Sequence, residues 1–329
     1  MRRPHQLSRW SQRLGWSWLL LLVAAALLAD LLPLPAFPDL LHTNAPPLTA
    51  GHPLGTDPQG HDVLGSLIYG ARTVLLVSVP ATLLATALGM ALGGAAGFWG
   101  NTGLRLPLAT LLAGGVAALL FVVAGAPATS SLAAWWPVLL LSASILANRL
   151  LFRKKWLQQP VALPIDTWVS AAIVALAALP RLVVVLVVAA ATEPSTLTLT
   201  ALLTLVLWPV PARLMRAETR RIQQLPYLEA ARALGLPTYS ILLHHVLPNS
   251  WRVLRVSLPM NLAVLIGLET TLSFLGVGLP PELPSWGRLL AASRLAASSW
   301  WLIVFPAVAL LFTALALRQL LPAPKAERN

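Results

Sequence analysis

Long apolar segments dominate this chain and decide which surroundings it can fold in. A membrane-spanning helix needs about 20 predominantly apolar residues, because each residue advances the helix by about 1.5 Å through a hydrocarbon layer about 30 Å thick. Segments of this length, rich in Leu, Val and Ala, occur at residues 14–33, 74–98, 106–126, 132–151, 167–192, 196–212, 252–272 and 299–317. The sequence therefore predicts an all-α, polytopic transmembrane helical bundle with about eight spans.

The composition agrees with a membrane protein and argues against a nucleic-acid binder. Hydrophobic residues make up 57% of the chain and charged residues only 10%, whereas soluble domains carry about 25% charge. The net charge of +12 would suit a nucleic-acid partner if the basic residues formed a hydrophilic face. They lie instead in short loops between apolar runs, so no nucleic-acid partner is predicted. The chain has no cysteine, which excludes thiolate metal sites.

The distribution of Lys and Arg predicts the orientation, because cytoplasmic loops are enriched in them. With the N-terminus inside, the basic loops 149–166 and 213–251 lie in the cytoplasm. The loop 34–73 lies outside and has no Lys or Arg before Arg72. Eight spans put both termini in the cytoplasm of a bacterial inner membrane, with an uncleaved first helix and lipid around the bundle.

Residues 213–251 are the one sizeable polar segment on the predicted cytoplasmic side. Pro226 suits the first turn of a new helix, where its missing N–H would be unpaired in any case. Residues 227–234 predict a short helix that Gly235 can end in a left-handed conformation, and Pro237 prevents its continuation. The sequence thus predicts a short helix held crosswise between two membrane helices and offered to the cytoplasm.

This segment resembles the EAA loop of bacterial ABC importer permeases, through Glu229-Ala230-Ala231, Gly235 and Leu247-Pro248. In that family the loop forms a coupling helix that docks in a cleft of the ATPase subunit. The resemblance implies an ATPase-docking surface made of Tyr227, Glu229, Ala230, Ala231, Arg232, Gly235 and Leu236.

Two further stretches resemble the dipeptide/oligopeptide-type permeases within that family. Residues 52–72, which begin His-Pro-Leu-Gly-Thr-Asp, are similar to the segment before the second helix, although His61 stands where the family usually has Arg. Residues 273–288 are similar to the external loop after the fifth helix. The resemblance implies a six-helix core, a second permease subunit, two ABC ATPase subunits that hold ATP and Mg, and an extracytoplasmic solute-binding protein. It implies no cofactor bound by this chain.

Residues 103–165 look like an insertion of two helices into that core, because the family passes almost directly from its second helix to a segment resembling 166–180. Two extra spans keep the coupling loop in the cytoplasm, whereas one or three would move it outside. The predicted organisation is an N-terminal helix and the start of the external loop (1–50), external loop and second core helix (51–102), insertion (103–165), remaining core (166–320) and tail (321–329).

Two ionisable residues are candidates for the translocation path. Arg181 lies near the middle of a predicted span, where an arginine costs about 2.5–3.5 kcal/mol and usually faces a partner or a wet cavity. The hypothesis is that it lines the path and pairs with Glu269. The alternative is that Pro180 breaks the helix and Arg181 bonds the freed carbonyls or snorkels, while Glu269 makes a hydrogen bond at a helix end.

Glycines 89, 93, 94 and 97 have the spacing at which small residues let helices approach closely. They predict packing against a neighbouring helix, and such a face would suit a dimer of permease subunits.

The sequence contains no Gly-Lys-Ser/Thr phosphate loop, no His-Glu-x-x-His and no Gly-x-Ser-x-Gly. No catalytic residue, enzyme activity or metal site is therefore predicted. The function that the resemblance implies is half of a transmembrane path for peptides or similar small solutes, driven by separate ATPases. The alternative is a non-importing membrane anchor of an ABC-linked envelope or motility machine, motivated by the two extra helices.

Overall fold

The computed structural model describes residues 4–33, 37–49, 51–124 and 155–320, together with Ser142, Ile145, Leu146 and Arg149. Almost all regular structure in these residues is helical. Internal contacts divide the chain into a larger unit, residues 1–94 and 172–329, and a smaller unit, residues 95–171.

The elements follow one another as helices with one pair of short strands. In chain order they are α1 (Pro4–Leu27), α2 (Val63–Trp99), β1 (Arg105–Pro107), α3 (Leu108–Ala124), β2 (Pro160–Ala162), α4 (Ile165–Ala178), α5 (Arg181–Ala190), α6 (Thr196–Leu207), α7 (Pro209–Gln223), α8 (Pro226–Ala233), α9 (Thr238–Phe274), α10 (Trp286–Ala292) and α11 (Trp301–Gln319).

Four helical stretches of the described residues are long and apolar enough to cross a membrane. They are α2, the stretch α6–α7, α9 and α11, and they contain the predicted spans 74–98, 196–212 and 252–272 and all of 299–317 but its first two residues. The apolar part of α1, Gln12–Leu27, is shorter. The predicted span 132–151 lies outside the described residues, apart from four of its positions. The all-α polytopic character is confirmed, while the number of eight spans stays a prediction.

The predicted span 167–192 is interrupted. Helices α4 and α5 meet at an angle of 82° around Leu179 and Pro180. Helix α4 ends before Pro180 because proline lacks an N–H for the helix and disfavours a helical residue before it. Pro180 itself has an extended backbone, with ψ 120°. The break that the sequence offered as an alternative is present, and the expectation of one continuous helix is wrong.

Two helices contain a π turn that ends two residues before a proline. The turn Val74–Ser78 in α2 ends two residues before Pro80, and the turn Ile241–Val246 in α9 ends two residues before Pro248. A proline ring clashes with the carbonyl four residues earlier, and one extra residue in the turn moves that carbonyl away. Pro259 lies inside the same helix α9 without such a turn, so proline permits the widening without requiring it.

The core of the larger unit gathers residues from five helices. Leu22 and Ala26 of α1, Val74 of α2, Ile266 of α9 and Trp286 of α10 pack in one buried cluster, to which α11 adds Leu317. The indole N–H of Trp286 also donates to the carbonyl of Leu67, at 2.9 Å. This buried tryptophan fixes the segment that follows α9 against the start of α2.

Glycines of α2 make a close contact with α7 in the larger unit. A Cβ added at Gly89 would lie 2.7 Å from Pro211 Cγ and 2.8 Å from the backbone nitrogen of Ala212. A Cβ at Gly93 would clash with the carbonyl oxygen of Ala212. The predicted helix-packing face is therefore real at these two positions, but its partner is a helix of the same chain. The two glycines are not free to pack against a second subunit.

In the smaller unit, β1 and β2 pair antiparallel, with Arg105 opposite Ala162 and Pro107 opposite Pro160. This pairing brings together the two ends of the segment that the sequence marks as an insertion. Among the described residues between the two strands, α3 forms a continuous helix.

Candidate functional site

The loop between α7 and α9 contains a short helix whose two ends are set by local sequence. Pro226 occupies the first turn of α8. At the other end Gly235 has a φ of +76°, a left-handed conformation that glycine adopts without steric cost. The amides of Gly235 and Leu236 donate to the carbonyls of Arg232 and Ala231, at 3.0 and 3.2 Å. These two bonds form a Schellman cap, so the predicted helix and its glycine terminus are confirmed.

Helix α8 has one buried and one exposed face. Leu228 is fully buried and Ala231 is 6% exposed, because residues three apart in a helix share a face. Tyr227, Glu229 and Ala230 lie on the exposed side. Arg232, Gly235 and Leu236, which complete the predicted docking set, are exposed as well.

Ala231 is the member of that set whose side chain faces inward. Helix α8 packs on the π turn of α9, and the small side chain of Ala231 lets it lie close. The side chain of Ala231 is therefore buried in this chain, and its place in the docking surface stays a prediction.

Apolar side chains extend the exposed face beyond the helix. Leu234 is 82% exposed and Tyr239 is 67% exposed, and Leu243 follows on α9 at 51%. Contiguous exposed apolar surface on a folded protein marks a site of interaction. Glu229 and Arg232 of α8 are exposed as well, so apolar and charged side chains are both exposed in this part of the loop.

Polar contacts hold α8 to both neighbouring helices. Arg232 donates to the Gln223 side chain of α7 at 3.1 Å, and Asn249 of α9 donates to the Tyr227 hydroxyl at 3.3 Å. Deeper in, the hydroxyls of Thr219 and Ser250 lie 3.4 Å apart between α7 and α9. The short helix is thus held to the helices on either side of it, as the sequence predicted, while its crosswise orientation stays a prediction.

The two candidate path residues have different surroundings. Arg181 is exposed at the first position of α5. Glu269 is 1% exposed, and the hydroxyl of Ser273 donates to its carboxylate at 2.8 Å. Within the described part of the chain no ion pair joins Arg181 to Glu269. Glu269 makes the helix-end hydrogen bond that the alternative predicted, and a place of either residue on the path stays a prediction.

The structure brings together the two patches that resemble peptide-type permeases, although about 200 residues separate them. Trp286 of the second patch donates to the carbonyl of Leu67 in the first patch at 2.9 Å, and Thr73, directly after the first patch, donates to the carbonyl of Pro284 at 2.7 Å. Two adjoining cavities of about 370 and 590 Å³ lie between these segments, and both are bordered by His61, Ser66 and Glu282. One groove is thus formed by both patches.

A histidine–carboxylate network that the sequence did not indicate holds the first patch in shape. His52 is 4% exposed, and its ring nitrogens lie 3.0 Å from Asp62 and 3.4 Å from Asp39. Asp62 also caps α2 by accepting from the amide of Gly65 at 2.8 Å. The sequence did contain a signal for the helix cap, because Asp62 is a residue type that favours the N-cap position, but it contained none for the contacts of His52.

The charges in this network shift two pKa values. The hydrogen bond with Asp62, followed by that with Asp39, raises the pKa of His52 above its usual value. The hydrogen bond with His42 lowers the pKa of Asp39 to about 2. Within the residues that the structure describes, no three His, Asp or Glu side chains converge as they would around a metal ion.

A sequence model of the family described as "Binding-protein-dependent transport system inner membrane component" matches residues 140–323, more than half of the chain. The chain belongs to this family. It is an inner membrane component of a binding-protein-dependent transport system and a multi-pass protein of the bacterial inner membrane. The matched residues include α8, its glycine cap and the whole of α9.

Individual relatives agree with this family. A peptide transport system permease protein of Brucella suis is 35% identical over 153 residues, which are 46% of this chain and 52% of the relative. The chain thus aligns with about half the length of that relative. A peptide permease protein of the same organism is 28% identical over 282 residues, 85% of this chain and 72% of the relative.

A third relative has a different name. The peptidoglycan transport system permease protein of Agrobacterium fabrum is 27% identical over 249 residues, 76% of this chain and 49% of the relative.

Proposed function

We propose that this permease forms half of a translocation path for peptides or similar small solutes, and that separate ATPase subunits drive it by docking on α8. The observation that carries the proposal is the geometry of α8. This short helix presents an exposed face, ends in a glycine cap and is fixed to the two helices on either side of it.

The proposed mechanism is mechanical. ATP and Mg bind the partner ATPase subunits, and closure of those subunits pushes α8. Because α8 is bonded to α7 and α9, both of which belong to membrane-length helices, its displacement tilts them. The path then switches between outward-facing and inward-facing states.

The proposed assembly contains this chain, a second permease subunit, two ABC ATPases and an extracytoplasmic solute-binding protein. The family description, which names transport that depends on a binding protein, supports the last partner. Two relatives named for peptides and one named for peptidoglycan support a solute with peptide bonds. Short peptides and peptide-bearing cell-wall fragments are both candidates.

Reconstitution tests this function. The chain would be co-expressed with the permease, ATPase and binding-protein subunits encoded beside it, purified by a tag on this chain and placed in proteoliposomes. We expect the ATPases to co-purify and labelled peptide to accumulate only with ATP and the binding protein. Absence of the ATPases from the purified complex, or uptake that does not depend on ATP, would overturn the proposal.

A further inference from the structure

The hydroxyl of Tyr227 connects α8 to α9 through a single amide side chain. Asn249 Nδ2 donates to the Tyr227 hydroxyl at 3.3 Å and to the carbonyl of His245 at 2.7 Å. The rings of Tyr227 and His245 also lie near each other, with centroids 6.3 Å apart. Tyr227, Asn249 and His245 therefore form one continuous set of contacts.

This set reaches α9 at a place where its helix is irregular. His245 lies in the π turn Ile241–Val246, and Pro248 follows it. A π turn lacks the regular bonds between residues four apart, and Pro248 has no N–H to donate. The side chain of Asn249 supplies an additional donor to a carbonyl in this turn, so movement of Asn249 acts directly on the irregular part of the helix.

The second contact of α8 with a neighbouring helix is of a different kind. Arg232 and Gln223 meet through long, flexible side chains with exposed polar ends, and such contacts accommodate small movements by changing rotamers. Tyr227 has a rigid ring and Asn249 a short side chain. Of these two polar contacts, the Tyr227–Asn249 contact is therefore the one that displacement of α8 stretches or compresses more directly.

We infer that Asn249 is a positioning residue which, through its bonds to Tyr227 and to the His245 carbonyl, transmits movement of α8 to the π turn of α9. This inference rests on the proposed docking function of α8. It assigns to Tyr227 an internal connection in addition to its place on the exposed face.

The test uses the reconstituted complex and compares Tyr227→Phe, Asn249→Ala and the double variant. Tyr227→Phe removes one oxygen atom and leaves the ring contact with His245. The measured quantity is the number of peptide molecules transported per ATP hydrolysed. We expect this transport ratio to fall about two- to tenfold in each single variant, because loss of one ordinary hydrogen bond changes an equilibrium constant by about that factor.

If the two residues act through their shared bond, the double variant will be no worse than the poorer single variant, because only one interaction is lost. Ser257→Ala is the control, since it removes a hydroxyl from the same helix α9 that donates to the Leu254 carbonyl of that helix at 3.0 Å. Its transport ratio should equal that of the unmodified chain. Thermal stability and retention of the ATPases should be unchanged in Tyr227→Phe.

Three results would overturn the inference: unchanged transport ratios, single effects that multiply in the double variant, or loss of ATPase binding in Tyr227→Phe. The last result would mean that the hydroxyl contacts the ATPase. Failure of the proposed function is seen separately, because the unmodified chain would then retain no ATPase.

Discussion

Gly235 allows α8 to end where it does, because its φ of +76° costs a residue with a Cβ roughly 1–2 kcal/mol. No atom lies within 4 Å of an added Cβ, so Gly235→Val acts on the backbone alone. We expect α8 to lose its cap and ATP-driven uptake to fall about tenfold, while the chain still inserts. Transport assays in proteoliposomes, with membrane content measured by immunoblot, check this.

Gly267→Ala is the control for that experiment, because an added Cβ there also meets no atom within 4 Å but the backbone is helical. Its uptake should match that of the unmodified chain. Full uptake by Gly235→Val would show that the cap has no part in coupling.

His52 predicts a pH dependence of the external loop. Since its pKa is raised in the folded chain, protonated His52 stabilises the loop fully below about pH 6.5, the pKa of an unfolded histidine. This stabilisation is lost as the pH rises through the higher folded pKa. Asp39 acts in the opposite direction, and its contribution is lost only as the pH falls towards its pKa of about 2.

Hydrogen-exchange protection of residues 44–49 and 51–62, corrected for intrinsic rates, should therefore decrease as the pH rises through the folded pKa of His52. His52→Gln should remove this dependence, whereas His61→Gln, whose side chain is 53% exposed in the native loop, should retain it. Equal pH profiles for the unmodified chain and His52→Gln would contradict this role of His52.

At the scale of helices, the contact between α2 and α7 gives a comparison between adjacent residues. A Cβ at Gly93 would clash with the Ala212 carbonyl, whereas a Cβ at Gly94 would lie 3.5 Å from the flexible Met215 Cε. Gly93→Ala should lower stability by roughly 1–3 kcal/mol, the cost of overpacking a close contact. Gly94→Ala should be nearly neutral. Thermal unfolding in detergent measures both, and equal melting temperatures would show that the helices are not closely packed here.

The sequence predicted helices well where one residue type decides the backbone. Pro226, Gly235 and Pro180 each mark a boundary that the structure contains. The sequence did not predict the two π turns. A π turn precedes Pro80 and Pro248 but not Pro259, so a proline alone does not indicate one. Packing of the whole helix decides between these outcomes.

At the same scale, spacing alone could not identify the partner of a small-residue face. Glycines four apart predict a close approach, but the approaching helix is chosen by the chain fold. Gly89 and Gly93 pack on Pro211 and Ala212 of their own chain, where the sequence also allowed a second subunit. The same limit applies to Ala231 at the candidate site. The motif contains this residue, but the motif does not show that its side chain is buried.

For the whole molecule, the sequence showed the order of the two segments that resemble the family, but it did not show that these segments lie against each other. Residues 52–72 and 273–288 border the same cavities, and Trp286 of the second segment donates to the carbonyl of Leu67 in the first. Contacts between segments so far apart depend on how the helices return through the membrane. The number of membrane crossings before α8 decides on which side of the membrane α8 lies, and therefore whether an ATPase can bind it.

The bend between α4 and α5 makes this count testable. Given that the predicted spans 74–98, 106–126 and 132–151 each cross the membrane and that the bent pair crosses as well, the exposed loop residue Glu193 lies outside together with Leu41, which is 91% exposed, and Leu234 lies in the cytoplasm. If the pair re-enters and returns, Glu193 lies inside and α8 moves to the outer face, where no ATPase can reach it. Because the chain has no cysteine, single substitutions Leu41→Cys, Glu193→Cys and Leu234→Cys can be labelled directly in whole cells. An impermeant maleimide should label the first two from outside and Leu234→Cys only after the membrane is opened, since an odd number of crossings separates Glu193 from α8.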